Sequence, residues 1–270
     1  MISRIRERAL SVLFPESIYC IGCGALIDGT RPYSLCDTCR AKFHFATGKT
    51  CAKCGRVLAE DYAHNLCNNC MDCEDSHFFE RGFTCMMYGL YEKEMLKDFK
   101  YHNRPYYARA LGSMMYDRIE PEGLGADLVV PVPLHRKKLR ERGYNQAELL
   151  AREVALRMEL PMVRALMRTR YTKPMSKVSG MERSANLMDE GQRYISESGA
   201  GSEKENSSVF RVNPLYASVL NGQRILLIDD IYTTGATADA CSRALIDAGC
   251  DSVFVLTVAS AGNPPPQGRE

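Results

Sequence analysis

Two adjacent carboxylates, Asp229 and Asp230, close an apolar run, Ile225-Leu226-Leu227-Ile228, and precede Ile231-Tyr232-Thr233-Thr234-Gly235-Ala236-Thr237. A short apolar run of this kind reads as a buried parallel strand. The small, hydroxyl-rich turn after it leads into a helical pattern. Backbone N–H groups and Thr hydroxyls then gather at a helix N-terminus, where the dipole favours an anion. The paired acids suit sugar hydroxyls or a hydrated metal ion. The segment as a whole fits a phosphorylated ribose.

The second chemistry is that of sulfur. Of 12 cysteines, eight form four Cys-x2-Cys pairs: Cys20/Cys23, Cys36/Cys39, Cys51/Cys54 and Cys67/Cys70. The pairs build an internal repeat, Cys-x2-Cys-x12-Cys-x2-Cys, present twice. Two such knuckles supply four thiolates to one tetrahedral zinc ion, and a closed four-sulfur site is structural. Gly22, Gly24 and Gly55 give the knuckles backbone freedom. Zn²⁺ is expected as one or two ions, with sequential or interleaved pairing both open, and Cys73 could substitute for Cys70. Cys85, Cys241 and Cys250 are spaced as lone core residues. The module has few large apolar residues, so metal is expected to supply much of its folding free energy.

These groups must be positioned by the rest of a 270-residue chain with 45% hydrophobic and 25% charged residues, ordinary for a globular protein. The net charge of +2 is unevenly spread. Residues 1–96 carry 11 basic against 12 acidic residues, 97–187 carry 18 against 10, and 188–270 carry 6 against 11. The middle third is therefore a candidate anion-binding face. No stretch approaches the roughly 20 apolar residues of a membrane helix. Arg4, Arg6 and Arg8 precede only a short apolar run without a cleavage site. The expectation is an amphipathic helix from Ile2 to Leu13, ended by Pro15, and a cytoplasmic location without membrane insertion.

From Phe83 the pattern is α/β. A strand and turn are expected over Phe83 to Tyr91 and a helix over Glu92 to Lys100. A strand over Asp127 to Val132 ends in Pro131-Val132-Pro133, which forbids a longer ladder and opens a loop. That loop would carry His135, Arg136, Lys137, Lys138, Arg140 and Arg142. A helix from Gln146 to Arg157 would place Ala147, Leu150, Val154 and Met158 on one face. A cationic loop directly after a strand is where an open α/β sheet binds ligands. His102 and His135 read as surface residues, and the methionine pairs 86/87 and 114/115 as core filler. Residues 190–208 read as a flexible insertion. The domains are thus 1–82, the N-terminal helix and cysteine module, and 83–270, the α/β domain.

Ile228-Asp229-Asp230-Ile231-Tyr232-Thr233-Thr234-Gly235-Ala236-Thr237 resembles the phosphoribosyl pyrophosphate (PRPP) loop of type I phosphoribosyltransferases. The resemblance implies that Asp229 and Asp230 hold the ribose 2′- and 3′-hydroxyls as the catalytic acids. Thr233, Thr234, Gly235, Ala236 and Thr237 would wrap the 5′-phosphate. It implies a pyrophosphate site at Leu134, His135, Arg136 and Lys137, joined by Lys173 and Arg183 from a mobile loop over Tyr171 to Leu187, with Mg²⁺ accompanying PRPP.

Pro131-Val132-Pro133-Leu134, then Arg142-Gly143-Tyr144-Asn145-Gln146, Arg168-Thr169-Arg170, Thr172-Lys173-Pro174, Glu182-Arg183 and Asn186, all behind the cysteine module, resemble the ComF family. Met175 departs from that family's usual Gln after Lys-Pro. The implied fold is a type I phosphoribosyltransferase-like parallel sheet flanked by helices, preceded by a small zinc-finger domain. The implied role is DNA uptake in natural transformation (competence), with competence helicase machinery as a partner. Single-stranded DNA binding is expected at Lys100, Arg104, Arg142 and Tyr144, where aromatic residues alternate with cations. The alternative is an active transferase moving 5-phosphoribosyl from PRPP to an acceptor.

Overall fold

The computed structural model describes residues 18–72, 77–169 and 209–263. The expected N-terminal helix, Cys73, the expected mobile loop with Lys173, Met175 and Arg183, and the expected 190–208 insertion lie outside them.

The cysteine-rich segment has two short helices, α1 (Asp37–Arg40) and α2 (Asn68–Asp72). Then come β1 (Arg81–Met87), α3 (Leu90–Tyr101), α4 (Tyr107–Ile119), β2 (Leu128–Pro131), α5 (Arg136–Arg142) and α6 (Gln146–Met158). A small antiparallel pair, β3 (Leu166–Arg168) and β4 (Phe210–Val212), precedes α7 (Ala217–Leu220), β5 (Arg224–Tyr232), α8 (Ala236–Asp247) and β6 (Ser252–Ser260). The main sheet is parallel throughout, in the order β1-β6-β5-β2. Its strands read as apolar runs because both faces are covered.

Alternation along β5 divides the core. Leu226 and Ile228 pack with Leu96, Phe99, Leu111, Met115 and Leu150 of α3, α4 and α6. Ile225 and Leu227 pack on the opposite face with Ala238, Cys241 and Leu245 of α8. Ala147 is buried with that second group, while Leu150 and Val154 join the first. Cys85, Cys241 and Cys250 are buried core residues, as are Met86, Met114 and Met115.

The two halves of the cysteine module pack on opposite faces of the sheet. Cys20, Ile21, Leu35 and Phe43 join the α3/α4/α6 side, and Cys51, Leu58, Cys67 and Phe79 the α8 side. The module's few apolar residues are thus buried in cores shared with the sheet. Both halves also cover the free edge of β1, whose amides and carbonyls would otherwise template foreign strands. Ala46 N donates to Cys85 O at 2.8 Å and Met87 N to His44 O at 2.8 Å. At the other end Gly82 N donates to Lys53 O at 2.7 Å. The backbones approach so closely there that a Cβ on Gly55 would collide with the Gly82 carbonyl. The fully buried Glu92 ties the first half to α3: it accepts from His44 N at 2.7 Å and from Gly89 N at 3.1 Å.

One expectation is corrected. The cationic stretch after β2 is not a loop beyond His135 but helix α5. Lys and Arg are good helix formers. The His135 ring accepts from Lys137 N at 3.2 Å, which caps the start. Gly143, at φ 85°, ends the helix in the left-handed conformation, with Arg140 and Arg142 in the last turn, where cations complement the dipole.

Candidate functional site

β5 delivers its acids to the C-terminal edge of the parallel sheet, the edge at which open α/β sheets bind ligands. Asp229 pairs in register with Thr257 of β6. Strand alternation sends Asp229 and Asp230 to opposite faces. Asp230 is 8% exposed, and its Oδ2 lies 2.6 Å from Lys100 Nζ at the end of α3. Burial alone would lower the Lys100 ammonium, but Asp230, with Asp229 behind it, holds it above the usual lysine value. Asp229 Oδ1 accepts from Asp230 N at 2.8 Å. Burial first, and the negative neighbour Asp230 second, push the Asp229 carboxyl up to about 7, against smaller opposing effects from that N–H and Lys100.

β5 runs directly into the loop. Thr233 and Thr234 are exposed, Gly235 has φ 94°, and α8 begins at Ala236. A Cβ on Gly235 would strike the Tyr232 hydroxyl. Only glycine meets both demands, the left-handed backbone and the close approach. Thr234 Oγ1 accepts from Ala236 N at 3.4 Å, and Asp239 N closes the first helical turn on Gly235 O at 2.8 Å.

Further cations lie near Lys100. Lys138 of α5 is pushed below the ordinary lysine value by burial first, and then by Arg168, Arg142 and Lys100. Four basic groups from α3, α5 and β3 therefore share one neighbourhood with the paired acids. Other basic residues of the middle third are held in local pairs, such as Arg157–Glu153 at 2.7 Å and Arg164–Glu148 at 2.5 Å. Leu134 and His135 are half-buried at the N-terminus of α5, while Arg136 and Lys137 are exposed on its first turn.

The residues expected to contact DNA do not form one exposed face. Lys100 turns inward to Asp230, and the Tyr144 hydroxyl donates to Phe99 O. Arg104 is exposed and donates to the Tyr106 hydroxyl at 2.5 Å. Arg142 lies over the Tyr101 ring, 4.8 Å from its centroid, and Tyr101 is 64% exposed. His102 stays at the surface, its Nδ1 2.6 Å from Asp98 Oδ1.

The eight knuckle cysteines fall into two sets, Cys20/Cys23/Cys36/Cys39 and Cys51/Cys54/Cys67/Cys70, with the sulfurs of each set within 4.8 Å of one another. Pairing is therefore sequential. Sulfurs on a tetrahedral zinc at about 2.3 Å stand roughly 3.8 Å apart. Cys23 to Cys36 at 3.8 Å and Cys54 to Cys67 at 3.6 Å match that spacing, so the donor sets fit zinc. Backbone N–H groups support the sulfurs: Cys36 N donates to Cys20 Sγ at 3.4 Å, and Cys67 N to Cys51 Sγ at 3.2 Å. Burial would raise the Cys20 thiol, but N–H groups of Cys36, Cys23 and Gly22 bring it down to about 7.

Several residues at the site carried no readable signal. Arg56, two residues after Cys54, donates to Thr233 O at the start of the loop. His77 Nδ1 lies 2.8 Å from Asp239 Oδ2 in the first turn of α8, and its Nε2 lies 3.4 Å from Cys70 Sγ. Lys138 belonged only to a run of charge, and Arg168 only to a family motif. A partner distant in sequence leaves no spacing to detect.

Residues 9–90 match the double zinc ribbon domain model. Over 222 residues the chain is 28% identical to competence protein ComFC of Bacillus subtilis, covering 80% of this chain and 79% of that protein. It is 24% identical over 243 residues to competence protein F of Haemophilus influenzae, covering 84% of this chain and 96% of the relative. Among solved structures, glutamine PRPP amidotransferase from B. subtilis is similar at 18% identity and a TM-score of 0.35, covering 59% of this chain and 30% of that one. The chain is a homologue of the ComF-type competence proteins, with a double zinc ribbon and a helix-flanked parallel sheet. Among the described residues no helix is long and apolar enough to cross a membrane.

Proposed function

We propose that this protein binds PRPP at the C-terminal edge of its sheet and serves DNA uptake by holding single-stranded DNA on the adjoining rim. One observation carries the ligand reading: two carboxylates diverge from the end of β5, a glycine-turned loop opens onto the α8 N-terminus, and Lys100, Lys138, Arg142 and Arg168 crowd beside them. A sugar bearing two hydroxyls, a 5′-phosphate and a pyrophosphate matches each part in turn. Asp229 and Asp230 accept from the hydroxyls. The amides at the start of α8 and the Thr hydroxyls take the 5′-phosphate. The basic groups on α3, α5 and β3 take the pyrophosphate. Mg²⁺, a hard cation held by carboxylate, phosphate and hydroxyl oxygens, would supply neutralising charge to the pyrophosphate.

The DNA reading draws on the competence proteins that the chain resembles and on the rim itself. Tyr101 and Tyr106 are exposed, and Arg142 and Arg104 lie against their rings. Flat aromatic faces beside guanidinium groups suit unpaired bases and their phosphates. Lys100 and Tyr144 belong instead to the structure behind that rim. The test is a titration of the full chain with PRPP and Mg²⁺, followed by single-stranded oligonucleotide on the same sample. Saturable PRPP binding and salt-sensitive oligonucleotide binding are expected. Failure of the first removes the ligand reading, and failure of the second the DNA reading. Pyrophosphate release on adding an acceptor would establish transfer.

A further inference from the structure

We infer that the second zinc ribbon is the anchor of the phosphate loop, with Arg56 as the positioning residue that joins the two; this rests on the reading of residues 233–237 as a phosphate loop. Arg56 is 2% exposed. One arm of its guanidinium donates to Gly262 O at 2.6 Å and the other to Thr233 O. The plane lies over the Tyr232 ring, 5.7 Å from its centroid. One side chain therefore ties the end of β5, where the loop begins, to the end of β6. A lysine has no second arm for this.

Among the described residues no carboxylate lies within ion-pair distance of Arg56, yet a buried guanidinium needs compensation. Its position in the chain supplies one. Arg56 follows Cys54 by two residues, and four thiolates around a divalent ion leave that site two charges negative. Cys54 and Cys70 are buried in one cluster with Tyr232, whose ring also meets Phe79 edge-on, 6.3 Å between centroids. The ribbon and the strand end thus meet at one ring.

A second line joins the same ribbon to the other end of the loop. His77 sits between Cys70 and Asp239, and Phe78 N donates to Asp239 Oδ1 at 3.3 Å. These contacts draw an acidic side chain of the first helical turn back towards the ribbon. A carboxylate left free there would repel a phosphate at the α8 N-terminus. The loop is therefore fastened at Thr233 and at Asp239, on both sides of Gly235, by one metal-stapled unit. The first ribbon is tied elsewhere, through His44 and Glu92 to α3.

The experiment uses the full zinc-loaded chain, Arg56→Ala and Arg56→Lys, with zinc content, amide hydrogen exchange and PRPP binding as readouts. Both variants should keep two zinc ions. Exchange across residues 230–241 should rise about tenfold in Arg56→Ala, and less in Arg56→Lys, as expected for losing a charge-assisted buried hydrogen bond. Residues 20–39 should not change, and PRPP affinity should fall by a similar factor. Unchanged exchange at 230–241 in a zinc-loaded variant overturns the inference. If Arg56→Ala sheds zinc, Arg56→Lys and Asp239→Asn decide by the same exchange criterion. If the unmodified chain binds no PRPP, the ligand reading fails, whereas the exchange data still decide the anchoring.

Discussion

Lys100 Nζ stands 2.6 Å from Asp230 Oδ2, joining the C-terminal end of α3 to the end of β5 across 130 residues of chain. The pair explains how two acids can share a sheet edge: one receives an ammonium, while the other, Asp229, is left to raise its proton affinity. It also joins the first ribbon to the site, since α3 is held at its other end by Glu92 and His44.

Removing one member of this largely buried pair leaves the other uncompensated. Lys100→Met should lower the unfolding free energy by about 2–4 kcal/mol, and the double variant with Asp230→Asn should recover part of that loss. Urea unfolding of the four proteins in the cycle measures the coupling. A coupling below about 0.5 kcal/mol would mean that the two side chains act independently.

Asp229 sets a pH dependence of opposite sign to a salt-bridged acid. Its folded-state pKa of about 7 exceeds the ordinary value of 3.8. The folded chain therefore holds a proton that the unfolded chain has released, and stability falls as pH rises between those values. Asp229→Asn removes the ionisation. Its Tm should exceed that of the unmodified chain above pH 7 by at least about 2–4 °C, and the gap should close as pH falls towards 4. Equal values at pH 8 would contradict the raised pKa.

Glycines at positive φ separate strain from collision. Gly123, at φ 58°, has open space around a new Cβ, whereas Gly235, at φ 94°, does not. Gly123→Ala should cost about 1 kcal/mol, and Gly235→Ala at least twice that. Only Gly235→Ala should also abolish PRPP binding.

The two zinc sites differ in access. All four ligands of the second are buried, while Cys23 of the first is exposed and Cys36 half-exposed. A metallochromic chelator should release zinc in two phases of equal size, and Cys23→Ser should remove only the fast one. A single phase of two ions would contradict this ordering.

Much of this was legible in the residues themselves. Cysteine spacing specifies a metal knuckle because both ligands come from one short turn, and an apolar run ending in acids before Thr-Thr-Gly specifies a strand, a turn and a helix for the same local reason. What long-range packing decides stayed hidden. Lys100 read as a DNA contact because its partner Asp230 lies far along the chain. The Arg136–Arg142 helix read as a loop because prolines stand just before it and its residues are nearly all charged, leaving no apolar stripe. A boundary at residue 82 follows composition, yet each ribbon buries its apolar residues on a different face of the sheet and covers the edge of β1.

A crystal of the zinc-loaded chain grown with PRPP and Mg²⁺ tests the central claim most directly. The predicted density places the 5′-phosphate against the amides of residues 235–237, the ribose hydroxyls on Asp229 and Asp230, and the pyrophosphate towards Lys138 and Arg168. Density for PRPP elsewhere, or an unchanged Lys100–Asp230 pair with an empty loop at saturating ligand, would contradict it.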